Sequence, residues 1–211
     1  MAEHEPSWRL NDAEIIRKES PYTFYRPSPA AMSLLRPGNL VKLIFTFDST
    51  DPKTPAAERM WVRIDRIENK RFFGVLDNDP LYIRNLKAGD PVEFDDRHVI
   101  QTDVPDPVPD PTAPYRARCF VTNRVLNGEA PARYLYRESP DSDDDSGWRI
   151  TAGDETDEYM DDPSNSAYVS LGSVLRQDDS FVDLLGTLAP CAFSRNAANQ
   201  RFEAVDPPEL Q

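Results

Sequence analysis

Hydrophobic and polar positions alternate most cleanly from Glu58 to Ile67, E-R-M-W-V-R-I-D-R-I. Met60, Val62, Ile64 and, less regularly, Ile67 fall on one side. Arg59, Trp61, Arg63 and Asp65 fall on the other, which is the two-residue period of a half-buried strand. Leu40 to Phe47, L-V-K-L-I-F-T-F, is rich in β-branched and aromatic residues and predicts a second strand. A Pro- and Thr-rich loop, D-S-T-D-P-K-T-P, joins the two. Asn69-Lys70 predicts a turn, with Arg71 to Leu76 returning as the second strand of a hairpin, and D-N-D-P at Asp77 to Pro80 breaks that strand. In L-K-A-G-D-P-V-E-F, Leu86 to Phe94, a Gly-Asp pair leads into another short strand. Two short helices precede this set. One covers residues 11–19, with Asn11 as N-cap, Asp12 and Glu14 in the first turn, and Arg17 and Lys18 near the end. The other starts at Ser28-Pro29 and stops at Pro37-Gly38. Four or five strands in roughly sixty residues predict a strongly bent sheet or a barrel.

The pattern breaks at residues 102–115, T-D-V-P-D-P-V-P-D-P-T-A-P-Y. Proline at nearly every second position favours an extended, semi-rigid spacer of roughly 3.1 Å per residue. This divides the chain into a β-rich domain over 1–101, a linker, and a second domain over 116–211. In the second part Arg116 to Thr122 and Ala132 to Tyr136 predict strands around an Asn127-Gly128 turn, with a third strand at Gly147 to Thr151. Tyr168 opens Y-V-S-L-G-S-V-L-R, and Asp179-Ser180 opens F-V-D-L-L. Both predict short helical segments. Cys191 to Phe193 and Arg201 to Val205 complete the strands, and the tail D-P-P-E-L-Q is expected to be loose. Strands and helices without βαβ alternation indicate α+β. The expected architecture is a mostly β first domain and a second domain with a small antiparallel sheet and two short helices.

Length and charge add to this picture. The 211 residues suit two domains of about 100 each. Hydrophobic residues make up 39%, enough for modest cores, and the 20 prolines cluster in the linker and loops. The net charge is −13. Eleven carboxylates lie between Glu138 and Asp162 with only Arg149 against them, so ten of the thirteen net charges sit on this one stretch. Over residues 1–101, sixteen acids nearly cancel fifteen bases. Nucleic acids and anionic membranes are polyanions that need clustered Lys and Arg, so neither is an expected partner. A basic protein fits the sign better. Gly147, Trp148, Ile150, Gly153, Tyr159 and Met160 are threaded through the acidic stretch, and such apolar punctuation sets it apart from a disordered acidic tail. Cys119 and Cys191 sit in apolar settings without C-x-x-C spacing and are expected as free thiols. The polar, acidic first ten residues lack the features of a signal peptide, and no apolar run reaches membrane-spanning length. The expected location is the cytoplasm.

Few patterns point to catalysis. Asp141, Asp143 and Asp145 match the first three ligands of an EF-hand loop, but glycine comes seventh, at Gly147, rather than sixth, and Ala152 replaces the glutamate at position twelve. His4 and His98 stand apart and the cysteines lack companions, so zinc is not expected. No pair of carboxylates is singled out for hydrolysis, and no phosphate-binding glycine loop exists. The expectation is a non-catalytic protein without metal or cofactor. A small-molecule or metal-sensing module is the alternative, with a hydrolase after it.

E-R-M-W-V, G-V-L-D-N-D-P and L-K-A-G-D-P-V in the first half resemble an uncharacterised bacterial family, a domain of unknown function. In the second half, R-C-F-V-T-N-R-V and D-S-G-W-R-I-T-A-G-D-E-T-D-E-Y-M-D-D-P resemble the immunity protein 33 domain of bacterial polymorphic toxin systems, over about residues 116 to 205. That resemblance implies an α+β domain that neutralises a toxin by binding it, without catalysis. Asp143, Asp144 and Asp145, in a Ser- and Pro-flanked loop, are the candidates for exposed steering charges. Asp154, Glu155, Glu158 and Asp161 are the candidates for fixed contacts, with Trp148 and Tyr159 as aromatic anchors. Core packing is the other reading of Trp148, and satisfying backbone donors of the turn after Gly153 is the other reading of Asp154 and Glu155. The expected partner is a basic toxin. The oligomeric state is left open.

Overall fold

The computed structural model describes residues 8–48 and 53–208. The first seven residues, the loop positions 49–52 and the last three residues of the tail, and with them His4, lie outside these. The fold is α+β. The chain divides into two compact units, one ending at Asp110 and the other starting at Pro111.

The first unit is a nearly closed, barrel-like antiparallel sheet. Its strands are β1 (Trp8–Leu10), β2 (Leu40–Phe47), β3 (Ala57–Glu68), β4 (Arg71–Leu76), β5 (Pro91–Asp95) and β6 (Val99–Thr102). They pair in the order β1-β2-β3-β4-β5, and β6 returns to β2. A single 3-10 turn, Asp96–His98, carries the chain from β5 to β6, and this closes the sheet on itself. Met60, Val62 and Ile64 are fully buried with Val41, Leu43, Phe45, Phe72 and Phe94. The alternation fails at one point. A bulge between Ile64 and Arg66 shifts the register against β4 and leaves Ile67 37% exposed. The hairpin turn uses Asn69 and Lys70, both at positive φ, as a two-residue primed turn requires. Helix α1 (Ala13–Glu19) is capped by Asp12, which accepts from the Glu14 and Ile15 amides, one residue later than the expected Asn11. Helix α2 (Pro29–Leu34) is capped by Ser28 with Pro29 at its first position. His98 belongs to the 3-10 turn, and its Nδ1 accepts from the Asp95 amide.

Side chains fix the proline-rich segment. The Asp106 carboxylate accepts from the Ser28 hydroxyl (2.6 Å), the Ser28 amide (2.7 Å) and the Tyr25 hydroxyl. Thr112 is buried, and Ala113–Arg116 form a 3-10 turn. An extended spacer would leave these groups in solvent.

The second unit is a six-stranded sheet with the order β10-β7-β9-β8-β11-β12. Its strands are β7 (Arg118–Thr122), β8 (Tyr134–Arg137), β9 (Asp145–Thr151), β10 (Ser166–Ser170), β11 (Cys191–Arg195) and β12 (Phe202–Val205). All pairs are antiparallel except β7 with β9, which is parallel. Three short helices accompany it: α3 (Asn123–Leu126), α4 (Asp157–Asp161) and α5 (Leu171–Leu175). The segment Tyr168–Ser170, expected to start a helix, is instead the end of β10. Ser170 then caps α5 by accepting from the Ser173 amide. The F-V-D-L-L segment makes only a 3-10 turn, Val182–Leu184.

Strand register separates the two faces of this sheet. Val121, Ile150, Leu135 and Phe193 lie side by side across four strands and are buried. Val125, Leu171, Val174 and Leu175 from α3 and α5 join this core. One residue along, the opposite face carries Tyr168, Phe120, Arg149 and Tyr136 in a single row.

Candidate functional site: an acidic stretch wrapped on one arginine

Arg149 lies in β9 between Phe120 and Tyr136, where its neighbours leave its side chain only 9% exposed. A guanidinium in that position needs carboxylates, because an unpaired buried charge is costly. Three supply them. Asp145 grips it with both oxygens, at 3.0 Å each. Glu138 meets its Nε at 2.6 Å, and Asp141 stands 3.4 Å from the far nitrogen. The Asp145 side chain is 2% exposed. Burial pushes its acidity down. The Arg149 hydrogen bonds and the Gly147 and Asp141 amides outweigh that and hold its pKa at about 2. Burial likewise favours the neutral form of Arg149, and its carboxylates reverse this and raise its pKa.

Gly147 makes the wrapping possible. Its φ is +78°, and a Cβ there would stand 2.2 Å from the Glu138 carbonyl oxygen. The Glu138 amide donates to the Gly147 carbonyl at 3.0 Å, so the two ends of the acidic loop meet at a glycine.

The remaining carboxylates divide into tied and free. Glu155 accepts from the Thr122 hydroxyl (2.7 Å) and from the Ala152 (2.7 Å) and Gly153 (2.8 Å) amides. These bonds outweigh desolvation and lower its pKa. Asp154 bridges Arg124 (2.6 Å) and Arg133 (3.3 Å) at the surface, and the Arg124 hydrogen bond is the main reason its pKa is lowered. Asp162 caps the next turn through the Ser164 amide. Asp144 accepts from the Ser142 hydroxyl at 2.7 Å and lies beside the Tyr168 hydroxyl at 3.4 Å. Asp143, Asp157, Glu158 and Asp161 are exposed and have no partner among the described residues.

This reorders the expected roles. Asp145 was placed among the exposed steering charges but is the buried anchor of Arg149. Trp148 is no surface anchor. It is 1% exposed, packs 6.3 Å from the Phe193 ring, and donates its indole N–H to the Leu185 carbonyl. Glu155 serves the turn after β9. Tyr159 is held by its backbone and side chain: Asn165 donates to its carbonyl, and its hydroxyl donates to the Asn165 carbonyl. Glu158 and Asp161, the candidates for fixed contacts with the partner, are exposed and have no partner within the fold among the described residues. Asp143 and Asp144 stay on the surface.

Phe120 went unnoticed as a surface group in the sequence and is 43% exposed, while Met160, named there only among the apolar residues of the acidic stretch, is 46% exposed. The Phe120 and Tyr168 rings stand 4.8 Å apart, with the Arg149 guanidinium 4.9 Å from Phe120 and that of Arg118 4.1 Å from Tyr168. A cavity of about 190 Å³ opens between Phe120, Tyr136, Arg149 and Met160. R-C-F-V held the signal, since Cys119 and Val121 alternate with Phe120. A second cavity of about 420 Å³ is lined by Tyr115, Arg137, Trp148, Leu171, Val182 and Leu185.

Both cysteines are free. Burial pushes the Cys119 thiol up to about 12 and raises that of Cys191, so neither is an activated nucleophile. Among the described residues no three His, Cys, Asp or Glu side chains are grouped to hold a metal ion, and no helix is long and apolar enough to cross a membrane.

Neither the curated proteins nor the solved structures offer a match to the chain. Two family models match it. Residues 35–102, most of the barrel, match the family described as "Uncharacterized protein conserved in bacteria (DUF2314)". Residues 119–206, which hold the acidic stretch and the aromatic row together, match the Immunity protein Imm33 domain.

Proposed function

We propose that the second unit protects a bacterial cell by binding a cytoplasm-acting toxin directly, without catalysis, through the surface of the Glu138–Asp162 stretch. The observation that carries this reading is the match of residues 119–206 to an immunity domain. The charge distribution supports a basic partner. Asp143, Asp157, Glu158 and Asp161 spend none of their charge inside the fold. Such carboxylates can steer a basic cleft toward the domain and occupy it where anionic substrate would lie. Internal pairing keeps Asp145 and Glu155 from that task and holds the surface in shape.

The test is co-expression with the product of any toxin gene found beside the gene for this chain. Cell survival together with a stable complex on gel filtration is the expected result. Survival without a complex, or chemical change to the toxin detected by mass, would refute direct non-catalytic binding. A second reading, small-molecule binding, rests on the cavity of about 420 Å³ beside Arg137 and Trp148. Calorimetric titration with nucleotides and divalent cations separates the two readings, since only the second expects heat.

A further inference from the structure

We infer that the aromatic row on the open face of the second sheet is the apolar centre of the contact. It takes one apolar or aromatic side chain from a Lys- and Arg-rich segment of the partner. This rests on the toxin-binding reading and adds the place and the chemistry of the bound segment.

Strand register makes the row. Tyr168 pairs with Phe120, Phe120 with Arg149, and Arg149 with Tyr136, so four adjacent strands present these side chains together. The opposite residues, Val121, Ile150 and Leu135, fill the core. The core is filled without Phe120, yet a phenylalanine stands on the opposite face at 43% exposure. Met160 stands at 46% exposure beside the cavity of about 190 Å³, which is the scale of one large side chain. Binding energy concentrates where aromatic surface loses its water, while the charges around it exclude solvent and guide approach.

Charge complementarity selects the occupant. Arg149, the one cation in the row next to the cavity, is already outnumbered by Glu138, Asp141 and Asp145. Asp144 flanks the row at Tyr168. On α4, Asp157 and Asp161 lie three residues before and one after Met160, so the helical turn brings all three to one side. Arg118, over the Tyr168 ring, is already paired with Asp144 at 3.9 Å. An apolar centre with carboxylates in excess over Arg118 and Arg149 on one side, and the unpaired Asp157 and Asp161 of α4 beside Met160, fits an apolar side chain between cations. A second copy of this chain would bring the same carboxylates against themselves, which the charge opposes.

The test uses the full chain, isotopically labelled, at low salt, with Lys-Lys-Trp-Lys-Lys and Lys-Lys-Gly-Lys-Lys peptides and an acidic Glu-Glu-Trp-Glu-Glu control. The tryptophan peptide is expected to bind roughly fivefold more tightly than the glycine peptide. It should shift the Phe120, Tyr136 and Tyr168 amides and the Met160 methyl, and the acidic control should shift none of them. Phe120→Ala, and independently Met160→Gln, should abolish the preference for tryptophan and leave the glycine peptide's affinity unchanged. Phe120→Ala should also lower the unfolding midpoint, because its ring lies against Tyr168 and Arg149, whereas Met160→Gln should keep it and so tests the contact alone. Equal affinity for the two basic peptides, with shifts confined to the carboxylate residues, overturns the apolar centre and leaves the acidic surface standing. If neither basic peptide binds, both readings fall. A dimer that Phe120→Ala dissociates in sedimentation would assign the face to a second copy and overturn the inference.

Discussion

The acidic stretch has two halves of similar composition and opposite fates. From Glu138 to Asp145, three of five carboxylates close on Arg149, and one of them, Asp145, is 2% exposed. From Asp154 to Asp162 six carboxylates follow, and Asp157, Glu158 and Asp161 have no partner among the described residues. The difference is not in the density of charge. It comes from one cation placed by strand register into a crowded row. A buried guanidinium calls carboxylates inward, whereas a short helix tolerates acids in its first turn beside its free amides. A run of negative charge can therefore hold a fold together at one end and face solvent at the other.

The strongest way to break this comparison is to remove the cation. Arg149→Met leaves Asp145 buried without its partner and should cost about 3–5 kcal/mol of stability. Chemical denaturation with a lowered midpoint and unchanged slope is the expected record. A midpoint within error of the parent would show that the first half is as solvated as the second.

Gly147→Ala should come next, at roughly 2–3 kcal/mol, because it adds backbone strain at φ +78° and a clash with the Glu138 carbonyl. Thermal unfolding measures it. Gly38, which also has a positive φ but open space around it, is the control: Gly38→Ala should cost less.

Acid sharpens the comparison further. In the fold the Asp145 pKa is held at about 2, against an ordinary value of 3.8. A depressed folded pKa stabilises above the unfolded value, so the full contribution is present above pH 3.8 and is lost as pH falls toward 2. It amounts to about 2 kcal/mol. Stability against pH should therefore fall across that window in the parent and less steeply in Arg149→Met. Equal slopes would mean that Asp145 is not held by Arg149.

Much of the first unit was legible in the sequence because its strands alternate. The bounds of β2 came out as read, and Met60, Val62 and Ile64 do face the core. The bulge that exposes Ile67 was not legible, since it depends on how β3 meets β4. In the second unit Tyr168–Ser170 read as helix, but pairing with β7 made it a strand. The site was half legible. Eleven acids around one arginine are visible in the sequence. That this arginine is buried, and that Trp148 turns inward while Phe120 turns out, follow from register across three strands that lie far apart in the chain. Glu155 was legible as an acceptor for the turn around Gly153, as the second of two readings, and its bonds to the Ala152 and Gly153 amides decide between them.

The smallest effect on stability is expected where the largest effect on binding is proposed. Substituting Asp157→Asn, Glu158→Gln and Asp161→Asn together removes three charges that contact nothing among the described residues, so stability should stay within about 0.5 kcal/mol of the parent. Losing like-charge neighbours tends to stabilise, while losing acids from the first turn of α4 tends to destabilise, and the two oppose each other. Binding should respond differently. Exposed rim charges act mainly on encounter, so association with a basic partner should slow at low salt, and its dependence on salt should flatten, while dissociation barely changes. Stopped-flow rates at two salt concentrations read this directly. The same substitution set at Glu138, Asp141 and Asp145 should fail on stability before binding can be measured. If the α4 variant is folded and associates as fast as the parent at both salt concentrations, the free half of the stretch is only a solvated helix face, and the two halves differ in structure alone.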